Sequence, residues 1–432
     1  MPHYLDARST DFAAAFDRFL DLKREAEADV DEVVAAILTD VRNRGIDAVL
    51  ELTAKFDRFN ADAETVVFST SEIDAAIASV PAAQHAALEQ AAERIQVYHS
   101  RQLPEDADWI DGDGARLGWR WSAVDRAGLY VPGGLASYPS SVLMNAIPAR
   151  VAGVGELIVC APTPDGAFNP LVLLAARIAE VDQIFRVGGA QAIAAMAYGA
   201  GPIPRVDKIT GPGNAYVAAA KRMVYGTVGI DMIAGPSEVL VIADKTADPE
   251  WVAMDLMAQA EHDETAQAIL ITDDAALGDA TAAAVNDLLT TLERRDIAAA
   301  SWRDFGAIIT VGDISDAAPL TNRIAPEHLE ILTQDPGAIA ADIRHAGAIF
   351  LGAHTPEAIG DYVGGPNHVL PTAGSARFSS GLSVLDFMKR TTISAMTPAA
   401  LKAIGPAAVT LAEAEGLEAH GLSVTRRLER LN

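Results

Sequence analysis

The sequence predicts an α/β protein with parallel sheets and helical segments at both ends. Short apolar runs bounded by glycine and proline alternate with helical patterns from about residue 119 to residue 351. This alternation is typical of βαβ units, which build parallel sheets. The chain of 432 residues is also too long for one compact core, so two or three domains are expected.

The first 100 residues have the apolar spacing of helices, with many charged residues between the apolar positions. This spacing predicts helices over residues 12–28, 30–44, 74–80 and 84–98. No chemistry-bearing motif stands out in this region.

The first α/β region begins near Trp119, and a second begins near Ser237. In the first region we expect strands over 127–134, 156–162, 182–189 and 206–211, with helices over 142–152, 171–179, 190–197 and 214–223. In the second we expect strands over 238–243, 268–272, 307–311 and 348–351, with a helix over 250–262. The last fifty residues, from about Leu382, have a helical pattern again.

Composition excludes several classes of partner. There are 33 Lys and Arg residues against 59 Asp and Glu, a net charge of -26, so the surface repels nucleic acid and anionic membrane. The amino terminus lacks a signal pattern, and the longest uncharged stretches are broken by proline and glycine, which predicts a cytoplasmic protein without membrane spans. Cys160 is the only cysteine, which excludes an intramolecular disulfide or a thiolate-rich metal site.

Glu327 and His328 are adjacent and follow Pro326. A carboxylate and an imidazole are the side chains that most often move protons near neutral pH. Proline disfavours helical geometry in the preceding residue, so we expect the pair in a loop or a first helical turn. The alternative is an exposed Glu beside a packed His with no chemical role.

Two glycine-rich stretches, residues 188–192 and 210–215, each join a strand end to a helix start. Glycines allow a ligand to approach the backbone, and free amides at a helix amino terminus favour phosphate. A tight βα turn is the alternative for each stretch, but two of them together with residues 130–134 favour a nucleotide pocket. The three-glycine dinucleotide fingerprint and the P-loop are both missing, so a standard Rossmann or kinase-like assignment is unsupported.

Several histidines lie in segments rich in acids, glycine or proline. Gln259 and His262 are three residues apart on a predicted helix that Asp248-Pro249 caps, so they share a face. His368 follows Asp361 in a glycine-rich turn, and His420 lies at a polar helix end, where it reads as a carboxyl-terminal cap. Each feature also has an interpretation without function: Gln259 and His262 could be a surface pair, and the segment from Asp361 to His368 could be an Asx turn. Together, however, these residues offer the ligands of a catalytic divalent metal site.

These motifs identify a family. The chain resembles the histidinol dehydrogenases over nearly its whole length, with matching segments at residues 187–193, 208–215, 234–241, 259–262, 326–328, 367–371 and 418–420. The resemblance implies a zinc-dependent, NAD-linked enzyme that oxidises L-histidinol to L-histidine through histidinaldehyde, the last step of histidine biosynthesis. Two NAD and one water are consumed.

The resemblance also implies a set of site residues. The catalytic bases are Glu327 and His328. One zinc per subunit is held by Gln259, His262, Asp361 and His420. The substrate contacts are Ser237, Gln259, His262, His328, Asp361, His368, Glu415 and His420, and the NAD contacts are Tyr130, Gln191 and Asn214.

The family fold implies two incomplete Rossmann-like domains, a helical amino-terminal segment and a small carboxyl-terminal dimerisation region. The expected boundaries are 1–25 for the amino-terminal segment, 26–129 with 238–381 for the first Rossmann-like domain, 130–237 for the second, and 382–432 for the dimerisation region. The family is a domain-swapped homodimer, so His420 of the partner subunit and Glu415 of the partner subunit are expected to complete each site.

Three other functions are compatible with parts of the sequence. A paralogue of the same fold could oxidise another small polar alcohol, such as a sulfonated diol, although His368 and Glu415 suit an imidazole and an ammonium. An aldehyde dehydrogenase could use Cys160 as its nucleophile, but that residue lies in an apolar run typical of a buried structural thiol. A metal-binding or dimerisation module without catalysis is the third.

Overall fold

Two parallel sheets form the framework of the computed structural model, which describes residues 1–22, 30–132, 138–233 and 235–431. One sheet has six strands, the other has five, and a smaller third sheet has three. The predicted α/β class with parallel sheets is therefore confirmed.

The amino-terminal region is mostly helical, as predicted, but it opens with a strand. Its elements are β1 (His3–Asp6), α1 (Phe12–Asp21), α2 (Asp31–Arg44), α3 (Ile46–Asp57), α4 (Thr70–Ala78) and α5 (Ala82–Ser100). The strand corrects the all-helical expectation, because β1 pairs in parallel with residues 307–310 at the edge of the six-stranded sheet. The helix predicted over 12–28 is helical through Asp21, and residues 23–29 lie outside the described part of the chain.

The middle of the chain forms the five-stranded parallel sheet. Its elements, preceded by the hairpin of β2 (Ala107–Ile110) and β3 (Arg116–Ala123), are β4 (Arg126–Tyr130), α6 (Pro139–Ala152), β5 (Glu156–Cys160), α7 (Pro170–Ile178), β6 (Gln183–Phe185), α8 (Gly189–Tyr198), β7 (Lys208–Thr210), α9 (Ala215–Val224) and β8 (Gly229–Ile230). The strand order is β6-β5-β4-β7-β8, so the chain reverses its direction of travel between β4 and β7. Open α/β sheets bind ligands at the carboxyl ends of the strands beside such a switch point.

The next part of the chain completes the six-stranded parallel sheet. Its elements are β9 (Glu238–Ala243), α10 (Pro249–Ala260), β10 (Gln267–Thr272), α11 (Ala275–Leu288), α12 (Arg295–Phe305), β11 (Ala307–Thr310), α13 (Ala317–Ile324), β12 (His328–Leu332), α14 (Pro336–Ala340), β13 (Ala348–Leu351) and α15 (Glu357–Tyr362). The order is β1-β11-β10-β9-β12-β13, which places β9 beside β12.

The carboxyl-terminal region begins with a strand rather than the predicted helix. Its elements are β14 (Met388–Ala395), α16 (Pro398–Ala414) and α17 (Glu418–Glu429). β14 pairs antiparallel with β3, and β3 also pairs with β2, so this part of the chain joins a sheet formed much earlier in the sequence. In the register of β14 and β3, Met388 lies opposite Ala123 and Ala395 lies opposite Arg116. The helical pattern assigned from about Leu382 is correct only from Pro398 onward.

The amino-terminal helices pack on the five-stranded sheet. Val34, Val41 and Val49 share a buried core with Ile158 and Ile193, and Ile95 shares another with Leu129 and Val142. Helices α2 to α5 thus pack with the five-stranded sheet. The predicted boundaries instead group residues 26–129 with residues 238–381, which contain most of the six-stranded sheet. The domain division stays a prediction. Among the described residues, no helix is both long enough and apolar enough to cross a membrane.

Candidate active site

Glu327 and His328 lie at the amino edge of the six-stranded sheet. Helix α13 ends at Ile324, Ala325 takes a left-handed conformation at φ 53°, and His328 is the first residue of β12. The expectation of a loop or a first helical turn is right for Glu327 and wrong for His328, because His328 pairs with Val239 and Ala348 on the neighbouring strands. Both side chains are buried, with 6% and 5% of their surface exposed.

The backbone of Glu238 holds both members of this pair. Nδ1 of His328 lies 3.0 Å from the Glu238 carbonyl oxygen, and the Glu238 amide donates to Oε2 of Glu327 over 3.0 Å. A carbonyl oxygen can only accept, so Nδ1 carries the proton of the neutral ring. The lone pair is then on Nε2, which is buried and makes no hydrogen bond among the described residues.

Burial keeps His328 neutral. It lowers the pKa of His328 to about 3, and positive charge on His262 or His368 would lower it further, while the Glu238 carbonyl opposes the shift. A neutral imidazole with a free Nε2 is the form that accepts a proton.

A buried acid that the sequence reasoning missed lies beside the same ring nitrogen. Oε1 of Glu357, the first residue of α15, is 3.3 Å from Nδ1 of His328. The Glu357 amide donates to Oε1 of Glu330 over 2.5 Å, and Glu330 shares a hydrogen bond with Asp255. Burial raises the pKa of all three carboxyls. The member of this carboxyl cluster that the sequence could have indicated is Glu330. It lies two residues after His328, and residues two apart on a strand share a face.

Gln259 and His262 meet at the carboxyl end of α10. Asp248 caps this helix, as predicted, but the helix ends at Ala260, so His262 lies in the following turn rather than on the helix. The His262 amide donates to the Gln259 carbonyl over 3.1 Å, and Nε2 of Gln259 is 3.5 Å from Nδ1 of His262. Gln259 is fully buried, and its Oε1 has no partner among the described residues.

Asp361 brings the acid of this site next to the histidines. It lies on α15, one turn after Glu357, and burial raises the pKa of Asp361 to about 6 while the nearby His262 lowers it. Ligand-type atoms of His328, Glu357 and Asp361 all lie within 4.8 Å of one another. The structure therefore brings together Gln259, His262, Asp361 and the Glu327–His328 pair.

His368 borders the same site, and Ser237 directly precedes Glu238, whose backbone contacts Glu327 and His328. Nδ1 of His368 lies 2.9 Å from the Asp361 carbonyl oxygen, and its Nε2 lies 3.3 Å from Oγ of Ser141, a contact on α6 that the sequence did not predict. Burial lowers the pKa of His368 to about 4. Ser237 immediately precedes β9 and accepts the Gln267 amide through its carbonyl; its neighbour Ala234 lies outside the described residues.

Glu415 and His420 lie apart from this group in the carboxyl-terminal hairpin of helices. Glu415 follows the last residue of α16, and His420 lies in the first turn of α17; both are exposed. The interpretation of His420 as a carboxyl-terminal cap is wrong, because the helix begins at Glu418. The contribution of His420 of the partner subunit and Glu415 of the partner subunit to the site stays a prediction.

The predicted NAD residues gather at the carboxyl edge of the five-stranded sheet. Tyr130 ends β4, and its hydroxyl oxygen accepts the Gly189 amide at the start of α8 over 3.1 Å. Gln191 is buried in the first turn of α8, and Asn214 caps α9 by accepting the amides of Tyr216 and Val217. A cavity of about 310 Å³ opens at this edge, lined among others by Val131, Pro132, Pro162, Thr163, Phe168 and Leu173. Gly133 and Gly134 of the predicted loop lie outside the described residues.

Cys160 does not behave as a nucleophile. It is fully buried at the end of β5, and burial raises the pKa of its thiol well above the ordinary value. A reactive cysteine needs thiolate character and access, so the cysteine-dependent alternative is unsupported.

A parallel sheet with a switch point and a cluster of buried histidines and acids are features of an α/β enzyme. The family model "Histidinol dehydrogenase" matches residues 21–428. The chain belongs to the histidinol dehydrogenase family.

Its relatives match over the whole chain. The histidinol dehydrogenase of Ruegeria pomeroyi is 69% identical over 432 residues, and that of Cereibacter sphaeroides is 67% identical, each alignment covering 100% of both chains. The crystal structure of histidinol dehydrogenase from Elizabethkingia anophelis is 36% identical with a TM-score of 0.95, covering 100% of this chain and 99% of that one.

Proposed function

We propose that this protein is a zinc-dependent enzyme that oxidises L-histidinol to L-histidine through histidinaldehyde, with two NAD as electron acceptors. The observation that carries the proposal is the buried Nε2 of His328, which has no partner among the described residues and lies close to Asp361 and His262. Family membership supports histidinol as the substrate.

The donor set fits a zinc ion. Gln259, His262 and Asp361 would hold it, with His420 of the partner subunit as the fourth ligand. Oε1 of Gln259 is a buried acceptor without a partner among the described residues, which is costly unless a ligand satisfies it. The raised pKa of the Asp361 carboxyl likewise favours a compensating cation. When bound, zinc orients the amine and imidazole nitrogens of the substrate, which is the template role of a metal.

The edge formed by Tyr130, Gln191 and Asn214 fits NAD. It combines a helix amino terminus, glycine-rich turns and a neighbouring cavity of about 310 Å³ at a switch point of the sheet. When bound, NAD accepts the hydride in each oxidation, while the protein supplies alignment.

His328 is suited to remove the protons of the oxidations. Its Nε2 has no partner in the part of the chain that the structure describes, and its Nδ1 donates to the Glu238 carbonyl. A positive charge on the ring would favour ionisation of the buried Glu357 carboxyl 3.3 Å from Nδ1, and the resulting carboxylate would stabilise the imidazolium. His328 therefore takes the hydroxyl proton of histidinol and, in the second oxidation, that of the hydrated aldehyde.

Glu327 is suited to activate the water that converts the aldehyde to its hydrate. Its carboxylate is buried beside His328, with one oxygen 3.9 Å from Nδ1 of the ring and bonded to the Glu238 amide. Water activated at this carboxylate adds to the aldehyde while it is still bound. The hydrate can then be oxidised without release of the reactive aldehyde.

The proposal includes the assembly. His368 and Ser237 border the substrate pocket, and Glu415 of the partner subunit would meet the substrate ammonium in a homodimer. The predicted division into two incomplete Rossmann-like domains with a carboxyl-terminal dimerisation region belongs to the same proposal.

The test is NADH formation by the purified, zinc-loaded protein. We expect two NADH per L-histidinol, and no NADH from a sulfonated diol of similar size. Absence of NADH with L-histidinol would contradict the proposal, and turnover of the diol instead would identify the paralogous function.

A further inference from the structure

A buried ion pair lies behind the turn that joins β7 to α9. We infer that Lys221 and Asp231 are positioning residues that fix this turn in the shape that binds NAD. The inference rests on the proposed use of NAD and adds to it two residues that touch neither the substrate nor the reacting atoms.

The two residues of the pair form hydrogen bonds with both backbone groups of Gly211 in the turn. Nζ of Lys221 donates to the Gly211 carbonyl over 2.8 Å, and Oδ2 of Asp231 accepts the Gly211 amide over 2.8 Å. Lys221 and Asp231 also form an ion pair with each other, and their side chains are only 2% and 1% exposed. Opposite charges thus orient the two peptide groups that flank Gly211.

Gly211 has a backbone conformation that few other residues adopt. Its φ is +114°, which L side chains rarely adopt, and a Cβ at this position would collide with the Tyr130 carbonyl oxygen. The turn therefore lies against the end of β4, beside the switch point between β4 and β7. Tyr130 and Asn214, both proposed NAD contacts, lie on either side of Gly211.

The other end of the turn is fixed as well. Asn214 caps α9 through the amides of Tyr216 and Val217, and a Cβ on Gly213 would collide with the Val217 side chain. Because Lys221 lies on α9 and Asp231 directly follows β8, the ion pair links the helix to the end of that strand. The amino terminus of α9, where phosphate binds best, is thereby held at one place relative to β7.

Stability alone is a weak explanation for this pair. Removing two charges from water is costly, and an apolar pair of similar volume is often equally stable or better. What an apolar pair cannot do is donate to one peptide group of Gly211 and accept from the other. Preorganising a binding turn in this way reduces the ordering cost of ligand binding.

The test compares two paired variants in the holoenzyme. Lys221→Met with Asp231→Asn removes both charges together, so that no buried charge is left alone, and it removes the donor to the Gly211 carbonyl. The control is Arg150→Met with Asp182→Asn, a more exposed ion pair that also contacts the backbone of this sheet. In that pair Arg150 contacts Asp182 over 2.6 Å, and Asp182 accepts the Leu157 amide at the amino end of β5, the opposite edge of the same sheet.

We expect the Kd and the KM for NAD to rise about tenfold in the Lys221/Asp231 variant, as for the loss of one charge-assisted hydrogen bond. The KM for L-histidinol and the zinc content should stay at wild-type values, and the control should bind NAD normally. A folded variant with a Kd for NAD within twofold of wild type would overturn the inference.

A second variant guards against misfolding. Lys221→Gln with Asp231→Asn keeps two hydrogen-bonding side chains in the same space but shortens the donor to Gly211, and it should raise the Kd for NAD in the same direction. If neither variant folds, the pair serves folding and the positioning role is rejected. Failure of the wild-type protein to bind NAD would instead reject the proposed function.

Discussion

Nδ1 of His328 donates its proton to the Glu238 carbonyl oxygen across 3.0 Å, from one strand of the sheet to the next. This bond leaves Nε2 as the basic atom. His328→Asn keeps an N–H that can reach the same carbonyl but has no basic nitrogen. We expect a loss in kcat on the order of a hundredfold or more, with zinc content and NAD affinity unchanged, measured by steady-state kinetics, metal analysis and NAD titration.

The control for this variant is His354→Asn, because His354 is an exposed histidine beside Trp251. It should retain the wild-type rate. A His328→Asn enzyme with an unchanged rate would reject the assigned base, and one that lost zinc would show that the variant acts through the metal site.

Glu327 and His328 should separate into two functions. Glu327→Gln keeps an acceptor for the Glu238 amide but loses the carboxylate that would activate water. We expect the first oxidation to persist and the second to slow by roughly a hundredfold, the range of a lost general base. Single-turnover experiments with an aldehyde trap should then yield one NADH per L-histidinol instead of two. Two NADH at wild-type rates would contradict the assignment.

Glu357 should tune His328 without binding the substrate. Its carboxyl lies 3.3 Å from Nδ1, so Glu357→Gln removes the group that stabilises the imidazolium but preserves the shape of the site. Opposite charges this close shift a pKa by about one to three units, which predicts a kcat loss of about 10- to 100-fold with little change in the KM for L-histidinol.

Zinc content is the decisive accompanying measurement for Glu357. Its carboxyl lies within 4.8 Å of the Asp361 carboxyl and could itself be a ligand. Loss of zinc in Glu357→Gln would make it a ligand rather than a partner of His328. Asp255→Asn, at the far end of the carboxyl cluster, should have the smaller effect on kcat.

Strands with an unbroken apolar run could be predicted from the sequence, and strands whose run is interrupted by polar residues could not. Residues 238–243 and 268–272 lie in strands that are buried along their whole length, and they were placed correctly because apolar runs bounded by turns are typical of parallel strands. β12 was missed because His328 and Glu330 interrupt its apolar pattern, and these are the residues that serve the site. β14 was missed because its pairing with β3 joins distant parts of the chain and leaves the strand largely exposed.

The site could be predicted as a set of residues but not as an arrangement. Sequence resemblance supplied Gln259, His262, Asp361 and the Glu327–His328 pair. It did not supply Glu238, whose contribution is made by backbone atoms, or the buried acid Glu357. Nor could the sequence show that the catalytic pair lies at the amino edge of its sheet, because that depends on how α13 turns at Ala325.

His99 should make the folded state sensitive to acid. Burial lowers the pKa of His99 below its ordinary value of about 6.5, and its Nδ1 donates to the Ile95 carbonyl over 2.7 Å. Below pH 6.5 the unfolded chain binds this proton more readily than the folded chain. Stability is therefore lost as pH falls from 6.5 toward the lower folded pKa, by no more than about 1.4 kcal/mol per pH unit for one group.

Urea unfolding at pH 8 and pH 5 measures this contribution. His99→Gln should reduce the difference between the two free energies of unfolding, whereas His85→Gln, partly exposed on the same helix, should leave it unchanged. An equal acid loss in the wild type and in His99→Gln would assign the effect to other groups.

Glu415 and His420 should act across the dimer. Both are exposed on the carboxyl-terminal helical hairpin, outside the group of His328, Glu357 and Asp361 in their own chain. We expect His420→Ala to lose most zinc and activity. If His420 of the partner subunit completes each site, then co-refolding His420→Ala with His328→Asn builds dimers in which one of the two sites has a wild-type set of residues. A random mixture contains half such heterodimers, so activity should return to about a quarter of the wild-type rate. Mixtures without recovery, from protein shown by mass to exchange subunits, would place His420 in the site of its own chain.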